Sequence, residues 1–353
     1  MPNVFNWKRF WCPRGGTFNL SDKGFLSDPE STWGKYLNPE LVTFRQLAEI
    51  PCLALLGEPG MGKTWALNHD GVLAEEAATR EGGIVIRRDL RSFGSEDRLM
   101  RSLFESAEWE KWRSGTLRLH LFLDSLDECL LRIDNVASLL ADELPKHPTE
   151  RLILRIACRT VPWPPILETA LINIYGDSGF KAYEMAPLRR VDVREAAHQC
   201  GISDVDGFLS RIDAIDISSH AIKPVTLKFL VNTYLKDGRF PANQIDLYER
   251  GCKALCEEHS ESRGKTLTGS LSADERLAIA SRIAAVMQFA NRFAVWTGNE
   301  TEAEFSEDVL VSELCGGYEE STPRVEVSVA AIREVLDTGL FSSRGIKRIG
   351  WAH

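Results

Sequence analysis

The chain has 353 residues, enough for two or three domains with cores of their own. Hydrophobic residues make up 44% and charged residues 26%, which excludes a disordered or membrane-embedded chain and matches an ordinary soluble globular one. The formal net charge of −9 argues mildly against broad, non-specific binding to nucleic acid, although a local basic face would not show in a sum, and a nucleic-acid partner is not expected.

Eight cysteines are present without a Cys-x-x-Cys pair or a Cys/His run at zinc spacing. Cys252 and Cys256, four residues apart, share one face of a predicted helix and read as core thiols rather than as a metal site or a disulfide. Unpaired buried cysteines suit a reducing cytoplasm, where the protein is expected to reside. No apolar run approaches the ~20 residues of a membrane span, and residues 1–4 lack the layout of a signal peptide, so no membrane partner is expected.

Residues 1–46 are rich in Trp, Gly, Pro and Asp, with turn signals too closely spaced for long helices. They are expected to form a small irregular lobe packed on the next domain, although Phe5, Trp7, Phe10, Trp11 and Phe18 could instead stack on bases. A helix is predicted over residues 39–50. Then Cys52-Leu-Ala-Leu-Leu reads as a short buried strand that runs into Gly57-Glu58-Pro59-Gly60-Met61-Gly62-Lys63-Thr64, the P-loop pattern at every fixed position. The glycines let the backbone turn with its N–H groups inward, making an anion nest. Lys63 is expected on the β- and γ-phosphates of ATP, and the Thr64 hydroxyl on Mg²⁺. Trp65 opens a helix whose positive end faces the phosphates, and it completes the nucleotide-binding set of residues 57–65. A glycine-rich turn matching by chance is the competing reading. The strand before, the helix after and the Lys-Thr pair in register argue against it.

A second strand is predicted over residues 83–88 and an amphipathic helix over 95–112. Leu119-His-Leu-Phe-Leu-Asp124-Ser-Leu-Asp127-Glu128 is apolar enough to be buried on both faces and ends in acids, where ligands bind in α/β folds. Asp124 is expected to hold Mg²⁺ through its water shell, with Glu128 or Asp127 orienting or activating the attacking water. The same acids could simply face the dipole of a following helix. The strand over 152–158 ends in Arg159-Thr160, placing a cation opposite Lys63 and toward the γ-phosphate, unless Arg159 merely pairs with a surface acid. Pro162, Pro164 and Pro165 stop that segment, and residues 180–188 supply a last strand and an exit turn.

From residue 192 onward the pattern is mainly helical. Helices are predicted over 193–200, from 206, from Pro224 at a first turn, and over 244–259, 272–289, 302–314 and 327–336. Residues 260–270 read as a linker, and residues 339–353 as a β-hairpin. The expected fold is an α/β P-loop NTPase with a parallel sheet sandwiched by helices, followed by a helical domain and a winged-helix domain. Its expected divisions are 1–46, 47–188, 189–240 and 241–353, the last incomplete at its C-terminus.

The P-loop together with Leu121-Phe-Leu-Asp-Ser-Leu-Asp-Glu resembles the NACHT-type STAND NTPases, signalling relatives of the AAA+ ATPases. Ala157-Cys158-Arg159-Thr160 is similar to the family's sensor-1 strand end. Lys223-Pro224-Val-Thr-Leu is similar to the segment whose proline packs near the adenine, and Trp351-Ala-His353 to the winged-helix segment whose histidine reaches the ADP phosphate. The resemblance covers about residues 47–353. Family members carry a long repeat domain after that histidine and an effector domain before the P-loop, neither of which is recognisable in these residues.

The resemblance implies a slow ATPase that acts as a switch. ADP holds the domains closed, and exchange for ATP, prompted by an unidentified activating ligand, permits opening and self-association in immune or antiviral defence. The alternative is an AAA+-like motor or loader acting on nucleic acid with continuous turnover. The charge of −9 and the lack of a basic stripe weigh against it. A metabolic kinase needs an acceptor pocket and lid that the sequence does not display.

Overall fold

The apolar runs become the strands of one central sheet in the computed structural model, which describes residues 5, 7–58, 60–129, 131, 133–160, 163–241, 243–257, 271–302, 307–345 and 347–351. The chain divides into two units, Met1–Phe240 and Pro241–His353.

In the first unit, strands β1 (Phe10–Pro13), β2 (Val42–Thr43), β3 (Cys52–Leu56), β4 (Ile84–Asp89), β5 (Leu119–Asp124), β6 (Leu152–Cys158) and β7 (Phe180–Met185) lie in the order β2-β1-β7-β3-β6-β5-β4. The five from β7 to β4 are parallel, while β1 runs antiparallel to both β7 and β2. β6 is therefore inserted between the P-loop strand β3 and the acidic strand β5. Leu56 is registered with Cys158 on one side and Glu184 on the other, and Asp89 lies opposite Asp124.

Strand side chains alternate between faces, and the core is accordingly double. Leu53, Leu55 and Phe122 pack with Ala66, Leu67 and Ala74 of helix α3, among others. Ala54, Leu56, Leu121, Leu123, Leu154 and Ile156 pack on the opposite face with Trp109, Trp112, Leu140 and Leu167. All five β3 residues are buried, as a strand covered on both faces requires.

The N-terminal segment corrects the sequence reading. Instead of an irregular lobe, β1 hydrogen-bonds along the edge of β7 and β2 along β1, with Trp11 fully buried against Phe44. The physical reason is the open edge of β7, whose N–H and C=O groups need partners. Residues 34–37 form a single turn, α1 (Gly34–Leu37). The helix predicted over 39–50 is instead β2 followed by a second short turn, α2 (Phe44–Leu47), closed by a Thr43–Gln46 capping box.

Helix α3 (Lys63–Glu81) ends at Gly82, whose left-handed φ of 79° lets its N–H reach the Ala78 carbonyl at 2.8 Å. The helix predicted over 95–112 is two, α4 (Glu96–Phe104) and α5 (Ala107–Ser114), each capped by a serine. Helices α6 (Ile133–Glu143) and α7 (Pro165–Gly179) were missed. Pro165, expected only to stop a strand, sits at the first position of α7, where its missing N–H costs nothing. Helices α8 (Arg190–Gln199), α9 (Val205–Ala214), α10 (Ser218–Ala221) and α11 (Pro224–Asp237) follow. Pro162 lies outside the described residues.

The second unit begins with α12 (Gln244–Glu257) and α13 (Ala273–Phe289), the latter opened by the predicted Ser272–Glu275 capping box. Strand β8 (Ala294–Trp296), strand β9 (Asp308–Leu310), helix α14 (Val311–Leu314), the paired strands β10 (Tyr318–Glu319) and β11 (Val325–Glu326), helix α15 (Val329–Leu336) and the hairpin β12 (Phe341–Gly345) and β13 (Arg348–Trp351) follow. The sheet order is β12-β13-β8-β9. The helix predicted over 302–314 is replaced by β9 and one helical turn. Buried Asp308 accepts from two guanidinium nitrogens of Arg348, Nε at 2.6 Å and Nη2 at 2.7 Å, which ties β9 to β13. The predicted linker over 260–270 lies outside the described residues.

Candidate nucleotide site

β3 delivers the chain into the loop at the C-terminal edge of the sheet. Gly60 and Gly62 take left-handed φ values of 73° and 94°, which side chains with a Cβ resist, and α3 starts directly after them. Lys63 folds back over the loop, its Nζ donating to the carbonyls of Gly57 at 2.7 Å and Glu58 at 3.0 Å. Burial pushes its pKa down, and Asp127 is the main influence opposing that shift. Buried Met61 turns its carbonyl outward to accept from Arg9. Trp65, half-buried, stacks on His69 one helical turn on, with ring centroids 5.3 Å apart. Pro59 lies outside the described residues.

Asp124 ends β5 and is 9% exposed. Burial raises its pKa, while hydrogen bonding from the Thr64 hydroxyl and the Ser125 backbone works the other way. Ser125 itself is left-handed, with φ 58°, and turns the strand sharply into the short 3₁₀ turn Leu126–Glu128. Because β6 is the neighbouring strand, its end meets this turn. The Arg159 N–H donates to Asp127 Oδ1 at 2.9 Å, and the Arg159 Nε lies 2.7 Å from Asp127 Oδ2. A second guanidinium nitrogen donates to Glu128 Oε1 at 3.1 Å. The structure thus brings Asp127, Glu128 and Arg159 together, with Asp127 anchoring the end of β6 and Glu128 more open. The arginine engages the two acids of the site itself, which the sequence reading did not anticipate.

Three further residues escaped the sequence reading. Asp89, opposite Asp124, holds Arg91 through both carboxylate oxygens, and Arg91 comes within 3.8 Å of Glu128. An acid at the end of a parallel strand was a usable signal for Asp89. Lys223, just before Pro224, forms an ion pair with Glu58, and a Cβ placed on Gly60 would lie 2.2 Å from Val225 Cγ1. The first turn of α11, which Pro224 opens, therefore rests against the loop. His353 lies outside the described residues.

Among the described residues no three His, Cys, Asp or Glu side chains are grouped to cage a metal. Thr64 and Asp124 form a two-residue oxygen set beside an anion nest. That set fits Mg²⁺, which keeps several waters and takes its remaining ligands from phosphate oxygens.

No protein-family model matches the chain, and no curated protein matches it. Among solved structures it is similar to the replication initiator DnaA bound to AMPPCP and single-stranded DNA (13% identity, TM-score 0.38, 69% of this chain). The chain spans 66% of that DnaA chain, just under two thirds. It is also similar to the Aeropyrum pernix Orc1 protein in complex with DNA (14%, 0.42, 87% of each chain) and to Cdc6p from Pyrobaculum aerophilum (17%, 0.36, 86% of this chain and 83% of that one). One expectation is corrected here: nucleic acid was set aside as a partner on the strength of a net charge of −9, yet two of these neighbours are complexes with DNA. A sum over the whole chain was the wrong criterion, since it does not register a local face. On its own geometry the first unit is an α/β P-loop fold with a mostly parallel sheet.

Proposed function

We propose that the chain is a nucleoside triphosphatase of the AAA+-related kind, binding ATP and ADP with Mg²⁺. One observation carries this: the phosphate loop, the Thr64–Asp124 pair and the Asp127–Glu128–Arg159 group converge at one edge of the sheet. The loop's inward N–H groups and the start of α3 would hold the phosphates. Lys63 would exchange the carbonyls of Gly57 and Glu58 for phosphate oxygens. Thr64 and Asp124 would hold Mg²⁺, which when bound neutralises charge on the β- and γ-oxygens. Glu128 would receive a proton from water, Asp127 holds Arg159 in place, and Arg159 would turn toward the γ-phosphate. The first turn of α11, with Pro224, flanks the loop and would pack near the base.

The partner proposed for this ATPase is nucleic acid, the ligand named for DnaA and Orc1. A second reading, the slow signalling switch that self-associates when ATP-bound, draws on a separate observation. Glu128 is tied to Arg159 and approached by Arg91, so the candidate base rests ion-paired. Helices α13 to α15 with the β12–β13 hairpin we read as the winged helix that such a switch carries.

The test begins with thermal stabilisation by Mg·ATP, which binding at a thousandfold excess over Kd sets at about 4 kcal/mol. Lys63→Ala should abolish it without unfolding the chain, and an equally stabilised mutant would remove the nucleotide reading. Hydrolysis measured with and without single- and double-stranded DNA then separates the two partners. Stimulation supports the nucleic-acid reading, whereas slow turnover indifferent to DNA with tightly retained ADP supports the switch.

A further inference from the structure

Arg9 is a buried cation that the proposed mechanism does not use. It is 9% exposed, and burial lowers its pKa to about 10, with Asp192 the main opposing charge. Yet Asp192 is engaged by Arg189, which it binds through both oxygens at 2.7 and 3.0 Å. Among the described residues Arg9 has no carboxylate within ion-pair distance. Its hydrogen bonds go to two backbone carbonyls, Met61 at 2.9 Å and Ala186 at 2.7 Å. Met61 lies inside the phosphate loop, between the two left-handed glycines, and a Cβ on Gly62 would lie 3.7 Å from the Arg9 Nη1. Ala186 follows β7, where its own N–H donates to the Phe10 carbonyl of β1.

A phosphate loop works only if its N–H groups face inward, which turns the intervening carbonyls outward. An outward carbonyl in a buried setting needs a donor. The planar guanidinium fork meets that need and fixes the distance between the loop and the end of β7, a job for which a single ammonium is poorly shaped.

We propose that Arg9 is a positioning residue for the phosphate loop: by tying the Met61 carbonyl to the Ala186 carbonyl it holds the loop in its anion-accepting shape and so sets affinity for the polyphosphate. This rests on the reading of residues 57–64 as a nucleotide site. Because the contact is with the loop, the effect is on the phosphate chain of the ligand and not on its base.

The experiment uses the full chain as wild type, Arg9→Lys and Arg9→Met. Calorimetric titrations with AMPPCP, ADP and inorganic triphosphate are run beside melting curves without ligand. Arg9→Met should weaken all three ligands by a similar factor of about 10–100, the worth of one hydrogen bond from a charged donor. Arg9→Lys should fall between it and wild type, and kcat at saturating ATP should hold while KM rises. If Arg9→Met does not fold, Arg9→Lys alone decides. Wild-type affinity in the folded variants, or a loss confined to nucleotides and absent for triphosphate, overturns the proposal while leaving the nucleotide site standing. Failure of wild type to bind any of the three overturns the site and the proposal together.

Discussion

Gly60→Ala is the sharpest probe of how the loop is seated. Two separate costs follow from the structure. A φ of 73° at a residue with a Cβ costs roughly 1–2 kcal/mol. The new methyl would also stand 2.2 Å from Val225 Cγ1 and 3.0 Å from its Cβ, and forcing extra atoms into such a contact costs roughly 1–3 kcal/mol. The sum is about 2–5 kcal/mol. Only the second part depends on Val225. Val225→Ala alone, at a half-buried position, should cost about 1 kcal/mol for the methyl groups removed. Combined with Gly60→Ala it should return most of the overpacking, giving a favourable coupling of about 1–3 kcal/mol. Urea unfolding of the two single variants and the double variant measures this, with unchanged m-values as the condition for comparison. Nucleotide affinity should track it, lost in Gly60→Ala and partly regained in the double variant. Additivity of the two single effects within about 0.5 kcal/mol would mean that α11 does not rest on the loop, and the place given to Pro224 would fall with it.

Glu128→Gln should leave ATP binding intact and slow single-turnover hydrolysis by about 10²–10⁴, and unchanged hydrolysis would place the base elsewhere. Asp127→Asn should slow hydrolysis as well and also lower stability, because it frees Arg159 from its buried partner. Asp124 has a folded-state pKa raised by burial, so the folded chain retains a proton that the unfolded chain has released. The stability this contributes is present at low pH and lost as pH rises through the raised pKa. Asp124→Asn should therefore melt higher than wild type at neutral pH without ligand, yet lose the Mg²⁺-dependent part of ATP binding, and an unligated variant melting lower would contradict the assignment. His147 stacks on Phe104 and sits edge-on to Trp109, and burial lowers its pKa, with Glu143 opposing and Arg113 and Lys146 reinforcing. Stability should be full above its ordinary value of 6.5 and decline as pH falls below it, and His147→Phe should flatten that part of a pH–melting curve.

The parts of the fold that could be read were those whose residues report their own environment. β3 and β5 are continuous apolar runs because both faces of the sheet are covered, and the loop and acids that end them follow without a break. β1 was not legible. It has only four residues, it ends in Pro13, and its partner β7 lies about 170 positions away, so no local period could reveal a strand whose formation depends on that distant edge. The start of α7 was misread because Pro164 and Pro165 signal a stop and a start equally, and only the chain that follows decides between them. β9 was hidden because it has only three residues and its strand character comes from parallel pairing with β8, which no local period reveals.

The site divides along the same line. Gly60, Gly62, Lys63, Thr64 and Asp124 are constrained by local backbone geometry and strand ends, and the sequence displays them. The roles of Asp127, Glu128 and Arg159 depend on which strand neighbours which, and the sequence contains no direct record of that order. With β6 beside β5, Arg159 reaches the acids, and its ion pairs give the resting site a definite electrostatic state. Glu128 is held by Arg159 at 3.1 Å and approached by Arg91 at 3.8 Å. Asp127, with both of its oxygens occupied at the end of β6, is the less movable of the two acids. If the site binds a triphosphate as proposed, the γ-phosphate would compete with Glu128 for Arg159, and its binding would be the event that frees the carboxylate. On the proposed reading hydrolysis would be gated by the triphosphate, and ADP, lacking the γ-phosphate, would leave the Arg159–Glu128 pair in place.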